Sequence, residues 1–211
     1  SYSTGAIYKI NAETGDVRET MVGIPDATVG AGGLTTGPDG NFYISDQLGD
    51  TIYRYVVATD TLEPFIDSLV LTPIGTGFGA PSFFPSSLRF GPDGNLYVSM
   101  NGSQAAGPGT GRIVRFDINN GIMGLEYAGS NVAFGTGLIQ PLGITFGTAP
   151  GDENSLYVCN LFHLGGSNFV GQVSKIPSAT TATPATVATA FIAPNSNGLE
   201  YATGLAWAPD G

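Results

Sequence analysis

The sequence predicts an all-β fold, a β-propeller built from four-stranded antiparallel blades. Two observations predict it: a hairpin phrase that recurs along the chain, and a regular distance between its copies. The copies read TTGPDGNFYISD at 35–46, RFGPDGNLYVSM at 89–100, TFGTAPGDENSLYVCN at 145–160 and AWAPDG at 206–211. Their matched apolar residues are Leu34, Leu88, Ile144 and Leu205, so successive copies are 54, 56 and 61 residues apart. Long repeats of this kind are typical of propeller blades, and a β-sandwich with similar turns is the alternative.

The phrase predicts a β-hairpin for a local reason. In GPDG, Pro92 presets the backbone angle of the second turn position, Asp93 suits the third, and Gly94 accepts a positive φ at the exit. The residues before and after this turn alternate between apolar and polar, as half-buried strands do. Each copy therefore supplies the first and second strands of a blade.

Two further strands complete each unit. Third strands are predicted at 6–10, 51–55, 111–116 and 172–176, and weaker fourth strands at 17–22, 62–66, 125–128 and 187–192. The resulting blades are 31–80, 81–137 and 138–198, with a partial blade at 1–30 and the first strand of a further blade at 199–211. One blade cannot bury both faces of its sheet, so the blades must stack around an axis. No helix is expected; 69–86 is predicted to be a loop over one face and 177–186 a long hairpin loop.

The composition excludes two classes of partner. The chain has 17 acidic against 7 basic residues and a net charge of −10, so it lacks the basic face that nucleic acid or an anionic membrane surface requires. No apolar run approaches the length of a membrane span, so no membrane insertion is expected. Charged residues make up only 11%, and the neutral polar remainder predicts an extracellular or cell-surface location, with the periplasm as an alternative.

The phrases GLTTGPDGNFYISD, SLRFGPDGNLYVSM and TGLAWAPDG, with the third strands TIYRY and RIVRF, resemble the NHL-repeat propellers and the gluconolactonase and strictosidine-synthase-like superfamily. The resemblance covers almost the whole chain and implies about six blades in a complete ring, so we expect these residues to form part of one. Its gluconolactonase branch implies a divalent metal in the central channel. The matching positions here are Gly32, Ser86, Leu142 and Thr203. None of them is Asn, Asp or Glu, so no cofactor is predicted, with calcium as the alternative.

Candidate ligand-binding residues lie at the ends of the second strands. Asp46 and Asn160 occupy the same register, and Asn101 follows one step later in the middle copy; Gln47 and the single histidine, His163, lie in the adjoining loops. Short polar side chains at such places either cap the loop through its backbone N–H groups or line the mouth of the channel. Both readings stay open here.

Four of the seven basic residues fall at one place in the third strands: Lys9, Arg54, Arg115 and Lys175. We expect them to occupy equivalent blade positions, with the stem packed along the sheet and the head bonded to a carboxylate or carbonyl. The only cysteine, Cys159, replaces Ser45 and Ser99 of the other copies, which predicts a small buried residue and not a nucleophile.

These observations predict a non-enzymatic secreted or cell-surface propeller that acts as a binding, coat or scaffold module. Its expected partners are other protein subunits or a surface assembly. No catalytic residue is assigned, because no motif pairs His163 with a carboxylate or a nucleophile. The alternative is a metal-dependent lactonase or hydrolase whose site lies on further blades.

Overall fold

The computed structural model describes residues 6–21, 30–101, 110–118, 131–163, 169–194, 196 and 199–208, without the side chains of 18–21, 131–132, 162–163 and 169. The described residues form one two-stranded and three four-stranded antiparallel sheets, each with its strands in chain order. The predicted fold class, four-stranded antiparallel propeller blades, is confirmed.

Each sheet is a blade. Blade 1 consists of β1 (Ile7–Ile10) and β2 (Val17–Met21). Blade 2 consists of β3 (Ala31–Thr36), β4 (Phe42–Asp46), β5 (Thr51–Val56) and β6 (Thr61–Ile66). Blade 3 consists of β7 (Pro85–Phe90), β8 (Leu96–Met100), β9 (Arg112–Phe116) and β10 (Asn131–Phe134). Blade 4 consists of β11 (Gln140–Phe146), β12 (Leu156–His163), β13 (Phe169–Ile176) and β14 (Thr189–Ile192).

The first strands of blades 2, 3 and 4 lie side by side, β3 against β7 and β7 against β11. Glycine permits this close approach. A Cβ on Gly32 would lie 2.7 Å from the Ser86 carbonyl oxygen, and one on Gly143 would lie 2.7 Å from that of Thr203. The first strands are therefore the inner strands, closest to the axis around which the blades are arranged, and the fourth strands are the outer ones.

Aromatic contacts join blade 2 to blade 3, blade 3 to blade 4, and blade 4 to residues 199–208. The Tyr43 ring of β4 meets Phe65 of its own blade and Phe90 of blade 3, both edge-on with centroids 4.9 Å apart. The same arrangement recurs at Tyr97 with Phe134 and Phe146, and at Tyr157 with Phe191 and Trp207. Such pairs add to the burial that holds blades together.

Residues 199–208 run beside β11 without an assigned strand. The N–H of Gly143 donates to the Thr203 carbonyl (3.0 Å), and the Trp207 indole N–H donates to the Phe146 carbonyl (2.6 Å). Trp207 thus occupies the place that Phe90 and Phe146 hold at the other blade contacts. Residues 209–211 of the strand predicted at 199–211 lie outside the described residues.

The expectation that no helix occurs was wrong. Helix α1 spans Ser68–Gly77 and overlaps the segment 69–86 that was predicted to be a loop. The Asp67 carboxylate caps it by accepting from the Leu69 N–H at 3.0 Å, and Leu71 is fully buried in the core beside blades 2 and 3. Pro73 inside the helix hid it from sequence analysis, because proline normally breaks a helix interior. Tertiary burial outweighs that local preference.

The described strand that pairs with β9 on its outer side is β10 (Asn131–Phe134). The fourth strand predicted at 125–128 lies outside the described residues. The stretch 177–186 does connect β13 to β14, but it contains a short 3-10 helix at Ala179–Thr181. Within the described part of the chain, no helix has both the length and the apolar character that crossing a membrane would take.

Candidate functional site

The inner strands of blades 2 to 4 border a cavity of about 520 Å³ on the side that faces the axis of the blades. Its described polar lining comprises Gln47, Ser86, Ser87, Arg89 and Thr203. Its apolar lining comprises Leu142, Ile144 and Leu205. The cavity occupies the place where a propeller has its central channel, so it is the first candidate for a ligand site.

Gln47 reaches this cavity because it directly follows Asp46 at the end of β4. Its amide Nε2 donates to the Ser86 hydroxyl oxygen at 2.9 Å, across the gap between blades 2 and 3. Among the predicted ligand-binding residues whose side chains are described, Gln47 is the one that lines the cavity. The amide oxygen of Gln47 and the hydroxyl proton of Ser86 remain suited to a ligand.

Asp46 is 1% exposed and faces its own loop. Its Oδ1 accepts from the backbone N–H groups of Gly30 (3.0 Å), Leu48 (3.3 Å) and Gly49 (3.2 Å). A Cβ on Gly49 would come within 2.3 Å of Oδ2, so this loop needs glycine there. This is the geometry of a side-chain cap on a loop.

Asn160 caps the segment before β11 in blade 4, but it lies inside β12 (Leu156–His163) and does not end the strand as predicted. Its Oδ1 accepts from the N–H groups of Ile139 (2.9 Å) and Gln140 (3.2 Å), and the side chain is fully buried. Asn101 begins the loop after β8, and its N–H donates to the Phe84 carbonyl at 3.1 Å. The side chains of Asp46, Asn101 and Asn160 do not line the cavity. His163 closes β12, and its side chain lies outside the described residues.

Serine hydroxyls link neighbouring blades, and the sequence analysis did not predict these links. Ser45 Oγ accepts from the Gly33 N–H (2.7 Å) and donates to the Ser86 carbonyl of blade 3 (3.2 Å). Ser99 Oγ accepts from the Ser87 N–H (2.8 Å) and donates to the Leu142 carbonyl of blade 4 (2.7 Å). The signal was present as a serine at one register position of two copies, but its partner is some 40 residues away.

Cys159 holds the same register position in β12. It is fully buried, and burial raises the pKa of its thiol to about 11. At this blade, the Gly143 N–H bonds the Thr203 carbonyl directly, so the strands meet without a bridging hydroxyl. The thiol is therefore a small packing group, because a thiolate is disfavoured there.

The hairpin-turn acids bond the tyrosines of the second strands. Asp39 accepts from the Tyr43 hydroxyl at 3.0 Å, and Asp93 accepts from the Tyr97 hydroxyl at 2.9 Å. Burial, followed by the bond to Asp39, raises the pKa of Tyr43 to about 12. In blade 4, Asp152 accepts from the Tyr157 hydroxyl at 2.5 Å. These carboxylates are engaged in holding the hairpins closed.

The repeated bases lie opposite those tyrosines. In the strand register, Arg54 faces Tyr43, Arg115 faces Tyr97 and Lys175 faces Tyr157. Their heads have different partners: Glu63 for Arg54, the carbonyls of Ala179 and Thr180 for Arg115, and Asp152 for Lys175. Lys9 lies exposed on β1, opposite Glu19 in the register.

Asp50 carries the most densely bonded carboxylate of the described loops. It is 3% exposed, with a positive φ of 47°. Its oxygens accept from the hydroxyls of Thr72 (2.8 Å) and Ser82 and from the N–H groups of Phe83 and Phe84 (2.9 Å each). These bonds tie the β4–β5 turn to α1 and to the segment before β7.

The described lining of the cavity lacks the ligands that a divalent metal prefers. Its described lining contains hydroxyls and an amide but no carboxylate, and Arg89 places a positive charge there. The four positions that match the metal-bearing family pattern, Gly32, Ser86, Leu142 and Thr203, all line the cavity. Hard cations require several converging oxygens, usually with carboxylates among them. Within the described residues, no group of three or more His, Cys, Asp and Glu could hold a metal.

Comparison with known proteins identifies a fold. No family model and no curated protein matches the sequence. Virginiamycin B lyase from Staphylococcus aureus is a similar solved structure, with a TM-score of 0.58, 17% identity, 94% of this chain covered and 52% of that one. A chain of a nidogen/laminin complex has a TM-score of 0.62, 16% identity and coverages of 96% and 63%. Regucalcin from Agrobacterium tumefaciens, a calcium-binding protein, has a TM-score of 0.55, 17% identity and coverages of 90% and 52%.

The chain spans about half the length of the lyase and regucalcin chains. At such identities the likeness concerns architecture, because one fold hosts many functions. It agrees with the resemblance seen in the repeated hairpin phrase. The chain is thus a β-propeller region that shares its fold with these solved structures.

Proposed function

We propose that this chain is part of a non-enzymatic binding propeller, secreted or displayed at the cell surface, which holds its ligand at the cavity beside the inner strands. The proposal rests on a difference between the buried acidic residues and the polar residues of the cavity in what they contact. The buried acids hold loops and hairpins together, whereas Gln47, Ser86 and Arg89 line the cavity. Side chains that can donate or accept hydrogen bonds suit recognition, and the described lining has no paired acid and base.

The surface supports the same proposal. A low charged fraction with a net charge of −10 fits an exported protein that meets other polar macromolecules. One structural neighbour belongs to a complex of two proteins, nidogen and laminin. Protein subunits or a surface assembly are accordingly the partners that we propose.

Ligand-observed NMR with a library of small polar molecules tests the cavity. We expect binders whose signals are lost in a Gln47→Ala, Ser86→Ala double variant but retained in Thr59→Ala, an exposed change in the β5–β6 turn. Binders that are unaffected by the double variant would place recognition elsewhere and contradict the proposal.

A metal-dependent lactonase or hydrolase is the second candidate. It is favoured by the neighbours, which include a lyase and a calcium-binding regucalcin. In this case the reacting residues would lie outside the described lining. Lactone hydrolysis by the chain, measured with Ca²⁺, Mn²⁺ or Zn²⁺ and with a chelator, separates the two functions. Chelator-sensitive turnover would establish the enzyme, and its absence is expected.

A further inference from the structure

Arg89 is the one charged residue among the described residues that line the cavity. It lies on β7 and is half-buried. Its Nη1 is 3.4 Å from the carbonyl oxygens of Leu34 and Leu88, which is longer than the usual N–H···O separation of about 2.9 Å. No carboxylate of the described residues pairs with it. By contrast, Arg54 and Lys175 both have carboxylate partners.

We propose that the cavity binds a small organic monocarboxylate, with the Arg89 guanidinium as its anchor; this inference rests on the proposed binding function. A guanidinium presents a planar fork of N–H donors that matches the two oxygens of a carboxylate. The described residues give this guanidinium only the two long contacts to carbonyl oxygens, so its N–H donors are available to a ligand. A carboxylate ligand would accept from these donors and supply the opposite charge.

The rest of the lining defines the ligand more closely. Leu142, Ile144 and Leu205 give the cavity an apolar wall, which fits a hydrocarbon body. The Gln47–Ser86 pair offers an amide oxygen and a hydroxyl to a polar group elsewhere on the ligand. One cationic residue balances a single negative charge. A phosphate carries more charge and three acceptor oxygens, and therefore suits several bases.

The test uses three probes on the 211-residue chain: 4-phenylbutyrate, its neutral analogue 4-phenylbutyramide, and inorganic phosphate. Affinities are measured by ligand-observed NMR at low and high NaCl. We expect phenylbutyrate to bind at least tenfold more tightly than the amide or phosphate, and to weaken as salt rises. Equal affinity for the acid and the amide would overturn the anionic assignment and leave the neutral binding function standing.

Variants of Arg89 test whether its guanidinium is the group that binds the carboxylate. Arg89→Gln should reduce the affinity for phenylbutyrate to that for the amide, and Arg89→Lys should retain part of it. Lys9→Gln, which removes the same charge from an exposed residue of β1, should bind like wild type. Unchanged binding by Arg89→Gln would overturn the proposal. Because the acid and amide are also compared on wild type, the result does not depend on the variant folding. Lactone turnover would instead contradict the proposed function.

Discussion

The hydroxyl of Ser45 in blade 2 donates a hydrogen bond to the backbone carbonyl of Ser86 in blade 3, at 3.2 Å. The same oxygen accepts from the Gly33 N–H, so one small side chain joins two inner strands. Ser99 repeats the bridge between blades 3 and 4. Hydrophobic packing between blades is non-directional, and these bonds set how the neighbouring strands align.

Removal of the bridge should destabilise the chain. Ser45→Ala leaves the Gly33 N–H without its acceptor at a blade contact, and a buried unsatisfied group costs about 1–3 kcal/mol. We expect a loss in this range in urea unfolding, and a similar loss for Ser99→Ala. Ser68→Ala, an exposed change at the start of α1, is the control and should shift stability by less than about 0.5 kcal/mol. Wild-type stability in Ser45→Ala would contradict the bridging role.

Cys159 should resist alkylation in the folded chain. Burial raises its thiol pKa to about 11, so little reactive thiolate is present at pH 8, and the thiol is also out of reach of solvent. Iodoacetamide labelling followed by mass spectrometry should show modification only after unfolding in urea. Rapid labelling of the native chain at pH 8 would mean that the thiol is accessible.

Acid should weaken blade 4 through Asp152. Burial opposes ionisation of this carboxyl, but hydrogen bonds from Lys175 and Tyr157 outweigh it and hold the pKa at about 2. A lowered pKa stabilises the fold above the unfolded-state value of 3.8, and the contribution disappears as the pH falls toward 2. The stability difference between wild type and Asp152→Asn should therefore be largest above pH 5 and shrink toward pH 2. The exposed change Glu13→Gln should show no such convergence.

Asp50→Ala should loosen the face that carries α1. The substitution leaves four donors without the buried carboxylate that they now bond. Hydrogen bonds to charged groups contribute about 1.5–3 kcal/mol each, net of the exchange with water. We expect a loss of at least about 3 kcal/mol, together with faster amide exchange in Ser68–Gly77. Protection of the helix at the wild-type level would show that core packing of Leu71 suffices.

Asp46 and Asn160 should behave as loop caps. Asp46→Ala and Asn160→Ala should each lower stability by about 1–2 kcal/mol and leave phenylbutyrate binding unchanged. Asp46→Asn should be nearly neutral, because its amide retains an Oδ1 that can accept from the Gly30, Leu48 and Gly49 N–H groups. Asn160 shows that an amide Oδ1 at this register position can accept from backbone N–H groups. Weaker ligand binding at an unchanged melting temperature would instead favour a role at the channel mouth.

The repeated phrase determined the blades. Alternating strands and the turn residues Asp39, Gly40, Asp93 and Gly94 act over a few residues, so their consequences can be derived from the order of residues alone. Both glycines adopt φ of 77° in their turns, as that chemistry requires. The shared register of Asp46 and Asn160 follows from the same local count, and so do the matching places of Arg54, Arg115 and Lys175 in the third strands.

Only the tertiary structure decided what those positions contact. Ser45 and Ser86 are 41 residues apart, and Arg89 meets the cavity because blades 2, 3 and 4 place their inner strands side by side. Helix α1 forms although Pro73 disfavours a helix, because the burial of Leu71 and the hydrogen bonds to Asp50 stabilise it. Local propensities depend on residues that are close in the chain. Burial and hydrogen bonds between blades depend instead on which surfaces meet, and this is determined only when the blades pack.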